Sequence, residues 1–221
     1  MDFVFMLTRS DQTVADCLEV LEEIRPIGLR HIGFKDVGVP PEVLRELVVR
    51  IKGQGATTYM EVVSTSAEAC LNSARVARDI GVERLLGGTQ VDEVLELLRG
   101  SGTTYHPFPG KPVGHPTKLG GSPADVEADC RRFAAKGCAG VDLLAYRATE
   151  ADPLELVRAA RRGTPGYLLV AGSVATPAQI HALAAAGADA FTIGSAAFDG
   201  SFSPLLGSLR SQLRAILDAC K

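Results

Sequence analysis

No apolar run in the sequence approaches the ~20 residues of a membrane span, so a spanning helix is not expected. Charge of either sign is not in excess: Lys+Arg 23 against Asp+Glu 26 gives −3. That balance gives no electrostatic pull towards nucleic acid or an acidic membrane. The cysteines, Cys17, Cys70, Cys130, Cys138 and Cys220, are odd in number and scattered, with no C-x-x-C pair. A disulfide scaffold or zinc ribbon is thereby excluded, and a reduced, cytoplasmic setting is expected. The apolar opening Met1–Leu7 carries Asp2 and no basic residue, so it reads poorly as a signal peptide. Linkers and compositional breaks are absent too. What is present is ample core material: 221 residues, 46% hydrophobic and 22% charged. One domain over residues 1–221 is expected.

The dominant pattern is a short apolar run followed by an amphipathic stretch. Eight such runs occur: Phe3–Leu7, His31–Lys35, Thr58–Val63, Arg84–Gly88, Thr103–Phe108, Gly140–Tyr146, Tyr167–Ala171 and Ala190–Gly194. Their Val, Ile, Leu, Phe and Tyr content suits buried parallel strands. One run every ~28 residues is close to the ~30 residues of a βα unit. Helix starts are marked by capping boxes at Thr65-Ser66-Ala67-Glu68 and Thr176-Pro177-Ala178-Gln179. Ser122-Pro123 and Asp152-Pro153 repeat the cap-then-proline signal, and Gly28, Gly81, Gly100, Gly137, Gly163 and Gly187 read as left-handed helix stops. Strict β/α alternation leaves a closed barrel or an open doubly wound sheet. An open dinucleotide-binding sheet wants G-x-G-x-x-G after the first strand. Leu7-Thr8-Arg9-Ser10-Asp11 stands there instead, without a glycine. The expected fold is α/β, a single (β/α)8 TIM barrel with short loops and one long loop after strand five.

The third and fourth units resemble the seventh and eighth. Val62-Val63-Ser64, a capped helix, Gly81-Val82-Glu83 and Leu85-Leu86-Gly87-Gly88-Thr89 parallel Val170-Ala171-Gly172-Ser173, a capped helix, Gly187-Ala188-Asp189 and Phe191-Thr192-Ile193-Gly194-Ser195. Gly88-Thr89 falls where Gly194-Ser195 falls. Either any two βα units look alike, or the barrel is a repeated half with like ligand sites across its mouth.

Ala171-Gly172-Ser173-Val174-Ala175-Thr176-Pro177, then Ala186-Gly187-Ala188-Asp189-Ala190 and Ile193-Gly194-Ser195-Ala196, resembles the end of a ribulose-phosphate-binding (β/α)8 barrel. The resemblance covers roughly residues 167–198 and is architectural elsewhere. It implies that the loops after strands seven and eight grip a phosphate. Independently, Gly172 and Gly194 would let backbone N–H groups approach an anion, while Ser173 and Ser195 add hydroxyls. The superfamily's catalytic patterns are not met. The strand-one Asp of its histidine-pathway isomerases is replaced by Leu7-Thr8-Arg9, and their strand-five Asp by the His106–Phe108 region. The decarboxylase D-x-K-x-x-D is absent from Gly33-Phe34-Lys35-Asp36-Val37, and the epimerases' paired His and Asp ligands are not seen.

Chemistry is sought on the inward faces. Alternation places His31, Gly33 and Lys35 on one face of strand two, and Tyr59, Glu61 and Val63 on the matching face of strand three. Lys35 and Glu61 then share the interior, either as a structural ion pair, as an acid/base couple, or as a lysine nucleophile with a carboxylate proton shuttle. Asp142, on strand six, is a third catalytic candidate, and His106, at the end of strand five, is the histidine expected to touch substrate. Arg147 ends strand six, as an anion clamp or a solvated charge. The long connection His106–Gly121 holds two histidines, two lysines and four prolines. It reads as a lid over an anionic substrate, carrying Lys111, His115 and Lys118, of which His115 and Lys118 reach the phosphate on closure, or as a stiff crossing. Gly172, Ser173, Gly194 and Ser195 are assigned to one phosphate, and Gly88 and Thr89 to a second. His31 and His181 read as scaffold.

Together these readings predict an enzyme on a phosphorylated metabolite that acts as an isomerase, epimerase or lyase by proton transfer next to a carbonyl. The alternatives are a Schiff-base aldolase using Lys35 and a non-catalytic phosphometabolite-binding barrel. The expected partner is a small phosphorylated substrate, with a homo-oligomer left open. Cofactors, metal, nucleic acid and membrane are not expected.

Overall fold

A computed structural model describes residues 1–64 and 66–221. Its barrel strands are β1 (Asp2–Met6), β2 (His31–Lys35), β3 (Thr57–Glu61), β4 (Arg84–Leu86), β5 (Thr104–His106), β6 (Gly140–Leu143), β7 (Tyr167–Val170) and β8 (Ala190–Ile193). All pair in parallel, in the spatial order β6-β7-β8-β1-β2-β3-β4-β5. Backbone bonds from Ala139 N to Tyr105 O and from Asp142 N to Pro107 O, each 3.1 Å, join the two ends and close the barrel. The chain is therefore a (β/α)8 barrel. The strands stop one to three residues short of several apolar runs. The largest trim is in the sixth, where Gly140–Leu143 gives way to a 3-10 turn over Ala145–Arg147.

Helices α1 (Cys17–Ile24), α2 (Pro41–Gly53), α3 (Ala67–Ile80), α4 (Val91–Leu98), α5 (Pro123–Ala135), α6 (Pro153–Gly163) and α7 (Pro177–Ala186) each precede the next strand, and α8 (Ser195–Phe198) and α9 (Leu209–Ala219) follow the last. Capping boxes start α5 at Ser122 and α7 at Thr176, and the Asp152 carboxylate caps α6. Ser66 caps α3 through the Ala69 amide; Thr65 lies outside the described residues. Gly163 is not a left-handed stop. It is the last residue of α6, and a Cβ there would lie 2.5 Å from the Glu127 carbonyl of α5. Its bareness serves helix packing.

Inward and outward faces alternate as a half-buried pleat requires. Ile32, Phe34 and Met60 are buried on the face away from Lys35 and Glu61. The lower interior is aromatic and polar: the Arg84 guanidinium lies 4.2 Å from the Tyr167 ring and 5.2 Å from that of Tyr59. Two small antiparallel ribbons decorate the upper rim, Thr8–Arg9 with Gln12–Thr13, and Lys111–Val113 with Lys118–Gly120. Among the described residues no helix is long and apolar enough to cross a membrane.

Candidate active site

A cavity of about 300 Å³ opens at the C-terminal ends of the strands, where barrels of this kind carry ligands. Lys35 and Glu61 form its floor. They are register partners on β2 and β3, and Lys35 Nζ lies 3.2 Å from Glu61 Oε1. Both are nearly buried, at 5% and 7% exposure. A carboxylate that sequence reasoning did not bring to the site completes the group: Asp11 Oδ1 accepts from Lys35 Nζ at 2.6 Å. Arg147 donates to the same carboxylate, Nη2 to Oδ1 at 3.0 Å and Nη1 to Oδ2 at 3.3 Å.

The charges sort themselves accordingly. Burial would depress the Lys35 ammonium, but Glu61 and Asp11 outweigh it and hold its pKa above the ordinary value. Burial would raise Asp11, but hydrogen bonds from Arg147 and Lys35 bring its carboxyl down to about 2. Asp142 has no exposed surface, and neither of its oxygens has a hydrogen-bond partner. Burial first, and the Glu61 charge second, push its pKa well above the ordinary value, which favours the neutral acid over the carboxylate.

The turn after β7 and the turn after β8 face each other across the same cavity, lined by Gly172, Ser173, Gly194 and Ser195. Among the described residues, the amides of these four donate to no protein acceptor. Gly172 has φ +78°, and a Cβ there would come within 2.8 Å of Arg147 Cδ. At Gly194 a Cβ would lie 2.6 Å from Thr8 Oγ1. Both glycines therefore make room for side chains of the site as well as leaving amides open.

Other candidates fall elsewhere. His106 is buried on the barrel's lower level: its ring meets the Tyr167 ring edge-on at 5.9 Å, and Nε2 lies 3.3 Å from Thr104 Oγ1. Burial lowers its pKa to about 3. It does not line the cavity, and an expected contact with substrate has no geometric basis there. The reason is stagger: tilted strands place the end of β5 level with the start of β6, as the bond from Ala139 to Tyr105 records. Gly88 and Thr89 also lie away from it. A Cβ on Gly88 would meet the Cys70 sulfur and the Tyr105 hydroxyl, and the Thr89 amide turns to Gln90 Oε1 at 3.4 Å. Gly88 has φ +73°, whereas Gly194 has φ −122°. The paired turns therefore differ in backbone, and Thr89 lines a separate cavity of about 160 Å³ rather than the one floored by Lys35 and Glu61.

The long connection is an ordered ribbon tied to the barrel by Gly110 N to Asp129, Gly121 N to Glu150 and Thr149 N to Leu119 O. It brings Lys118 to an adjoining chamber of about 510 Å³. His115 is exposed, and Lys111 points to Asp125 at 3.6 Å, outside both chambers. His31 accepts or donates with the Tyr59 hydroxyl at 3.0 Å, low in the barrel, and His181 is on the surface. Among the described residues no three His, Cys, Asp or Glu side chains gather as a metal site would need. Polar lining residues that the sequence motifs did not single out as catalytic include Asp11, Arg147, Thr8, Thr192, Asp199 and Ser201.

No protein-family model matches this chain, and no curated protein matches it. Solved structures do. A 3-hexulose-6-phosphate synthase superposes with TM-score 0.68 at 14% identity, over 100% of each chain. The native KDPGal structure gives 0.67 at 13%, over 99% of this chain and 96% of that one. Orotidine 5'-phosphate decarboxylase from Pyrococcus horikoshii OT3 gives 0.63 at 14%, over 99% and 98%. At such identities the likeness is one of fold, and the fold shared throughout is the (β/α)8 barrel.

Proposed function

We propose that this barrel is an enzyme of the ribulose-phosphate-binding kind, acting on a phosphorylated small metabolite by moving a proton next to a carbonyl, as an isomerase, epimerase or lyase. One observation carries the reading: two glycine–hydroxyl turns whose amides have no protein acceptor among the described residues line the cavity whose floor is Lys35 and Glu61. Open amides at a rim suit an anion. Two of the named neighbours, the orotidine 5'-phosphate decarboxylase and the 3-hexulose-6-phosphate synthase, carry a phosphate ester in their names, which supports the same class.

In this reading the phosphate sits between the Gly172-Ser173 and Gly194-Ser195 turns. The Lys35 ammonium faces the carbonyl oxygen and stabilises charge developing there. Glu61 takes the neighbouring proton. Asp11 keeps Lys35 protonated, which also argues against a Schiff base: a nucleophilic lysine must lose the proton that two carboxylates hold in place.

The test is exchange of substrate C–H for deuterium in heavy water, followed by proton NMR over a panel of ketose and aldose phosphates. Exchange is expected, and Glu61→Gln should slow it about 100-fold or more. Ser195→Asp should abolish ester binding by charge repulsion. Binding without exchange would leave a non-catalytic barrel, and trapping of a Lys35 adduct by borohydride would restore the aldolase reading. Failure of every ester to bind overturns the proposal.

A further inference from the structure

Arg147 is already occupied, and by the protein's own carboxylate. Its two terminal nitrogens take the two oxygens of Asp11, while Lys35 Nζ takes one of them. One carboxylate thus lies between two cations. It lies where the cavity meets the adjoining chamber, and Asp11, Arg147, Ser173 and Ser195 line both.

Holding it there costs backbone strain. Ser10, Asp11 and Ser173 have φ of +51°, +58° and +61°, and among the described residues they are the non-glycine residues with positive φ. All three line the second chamber. Strain of this sort gathers at ligand clamps. The base of the ribbon that carries Asp11 is bonded to β2 through Thr13, but the Ser10 and Asp11 amides donate to no protein acceptor among the described residues. The Asp11 side chain ties the tip to Lys35 and Arg147, and beside it Arg9 pairs with Asp199 at 3.0 Å.

We propose that Asp11 is a resident stand-in for a carboxylate of the substrate. The pocket then takes a phosphorylated acid, its phosphate at the two turns and its carboxylate on the Arg147 fork and the Lys35 ammonium in exchange for Asp11. This rests on the phosphate reading above. The fork's two parallel donors match a planar carboxylate, and swapping one monoanion for another leaves both cations neutralised. Lys118, on the wall of the second chamber, adds a further cation on that side.

The experiment is titration calorimetry with four probes: 3-phosphoglycerate, glycerol 3-phosphate, glycerate and inorganic phosphate. Asp11→Asn removes the internal charge and keeps the shape. It should tighten glycerate and 3-phosphoglycerate roughly tenfold over wild type, and glycerol 3-phosphate and inorganic phosphate little. Adding Arg147→Lys keeps the net charge but removes the fork, and should erase the gain. Asp11→Ser carries the same expectation if Asp11→Asn does not fold. The proposal is overturned if the carboxylate probes do not tighten, if all four tighten alike, or if the gain survives Arg147→Lys. A glycerate gain with no binding of any phosphate would instead sink the phosphate reading and leave the carboxylate exchange standing.

Discussion

At position 142 a carboxyl group lies wholly inside the barrel, with no hydrogen-bond partner and the Glu61 charge near it. Its folded pKa is raised, so the stability it supports is complete below its ordinary 3.8 and is lost as pH climbs through the folded value. Between those two values folding takes up a proton there. Asp142→Asn removes that demand, so its melting temperature relative to wild type should be more favourable at pH 7 than at pH 3. A gap that does not shrink on acidification would mean a charged Asp142. Asp11 has the opposite sign: its pKa falls to about 2, so its contribution is present above 3.8 and fades as pH drops through 2. Asp11→Asn should therefore lose about 2 kcal/mol at neutral pH and converge on wild type in strong acid.

Among the elements, the ribbon Thr8–Arg9/Gln12–Thr13 decides how the site is held. The Thr13 hydroxyl donates to the Lys35 carbonyl at 2.8 Å and accepts from the Lys35 amide at 2.9 Å, buried at 2% exposure. Thr13→Val leaves both backbone groups of Lys35 unpaired, at a cost of about 1–3 kcal/mol in urea unfolding, while Thr13→Ser keeps most of it. A Thr13→Val midpoint equal to wild type would show that the ribbon is not anchored there. This ribbon also marks where sequence reading stops. Alternation along β2 and β3 was enough to put Lys35 and Glu61 on one surface, because a two-residue period is local. The glycine–hydroxyl turns were legible for the same reason. Asp11 was not, since two consecutive left-handed non-glycine residues carry it back over the rim and have no propensity signal. His106 misled because height in a staggered barrel is not read from place in a strand. Gly88-Thr89 misled because a similar string of residues adopts a different backbone, with Gly88 against Cys70 and Tyr105 and Thr89 on a separate cavity.

For the molecule as a whole, the seam between β5 and β6 is the thinnest part of the barrel wall. Two backbone bonds cross it, from Ala139 and Asp142, whereas β2 and β3 run in register over five residue pairs. Native-state hydrogen exchange should find the Ala139 and Asp142 amides opening at lower free energy than those of Phe34 and Met60. Equal protection would mean that the wall opens as one unit. The two rim turns and the arginine fork are coupled in a further way. Because the arm of Arg147 runs through the gap that a methyl group on residue 172 would fill, the turn and the fork cannot be altered independently at that point. Drift towards a new ligand would have to begin elsewhere on the rim, at Ser173, Ser195 or Lys118, where a side chain can change without moving its neighbour across the mouth.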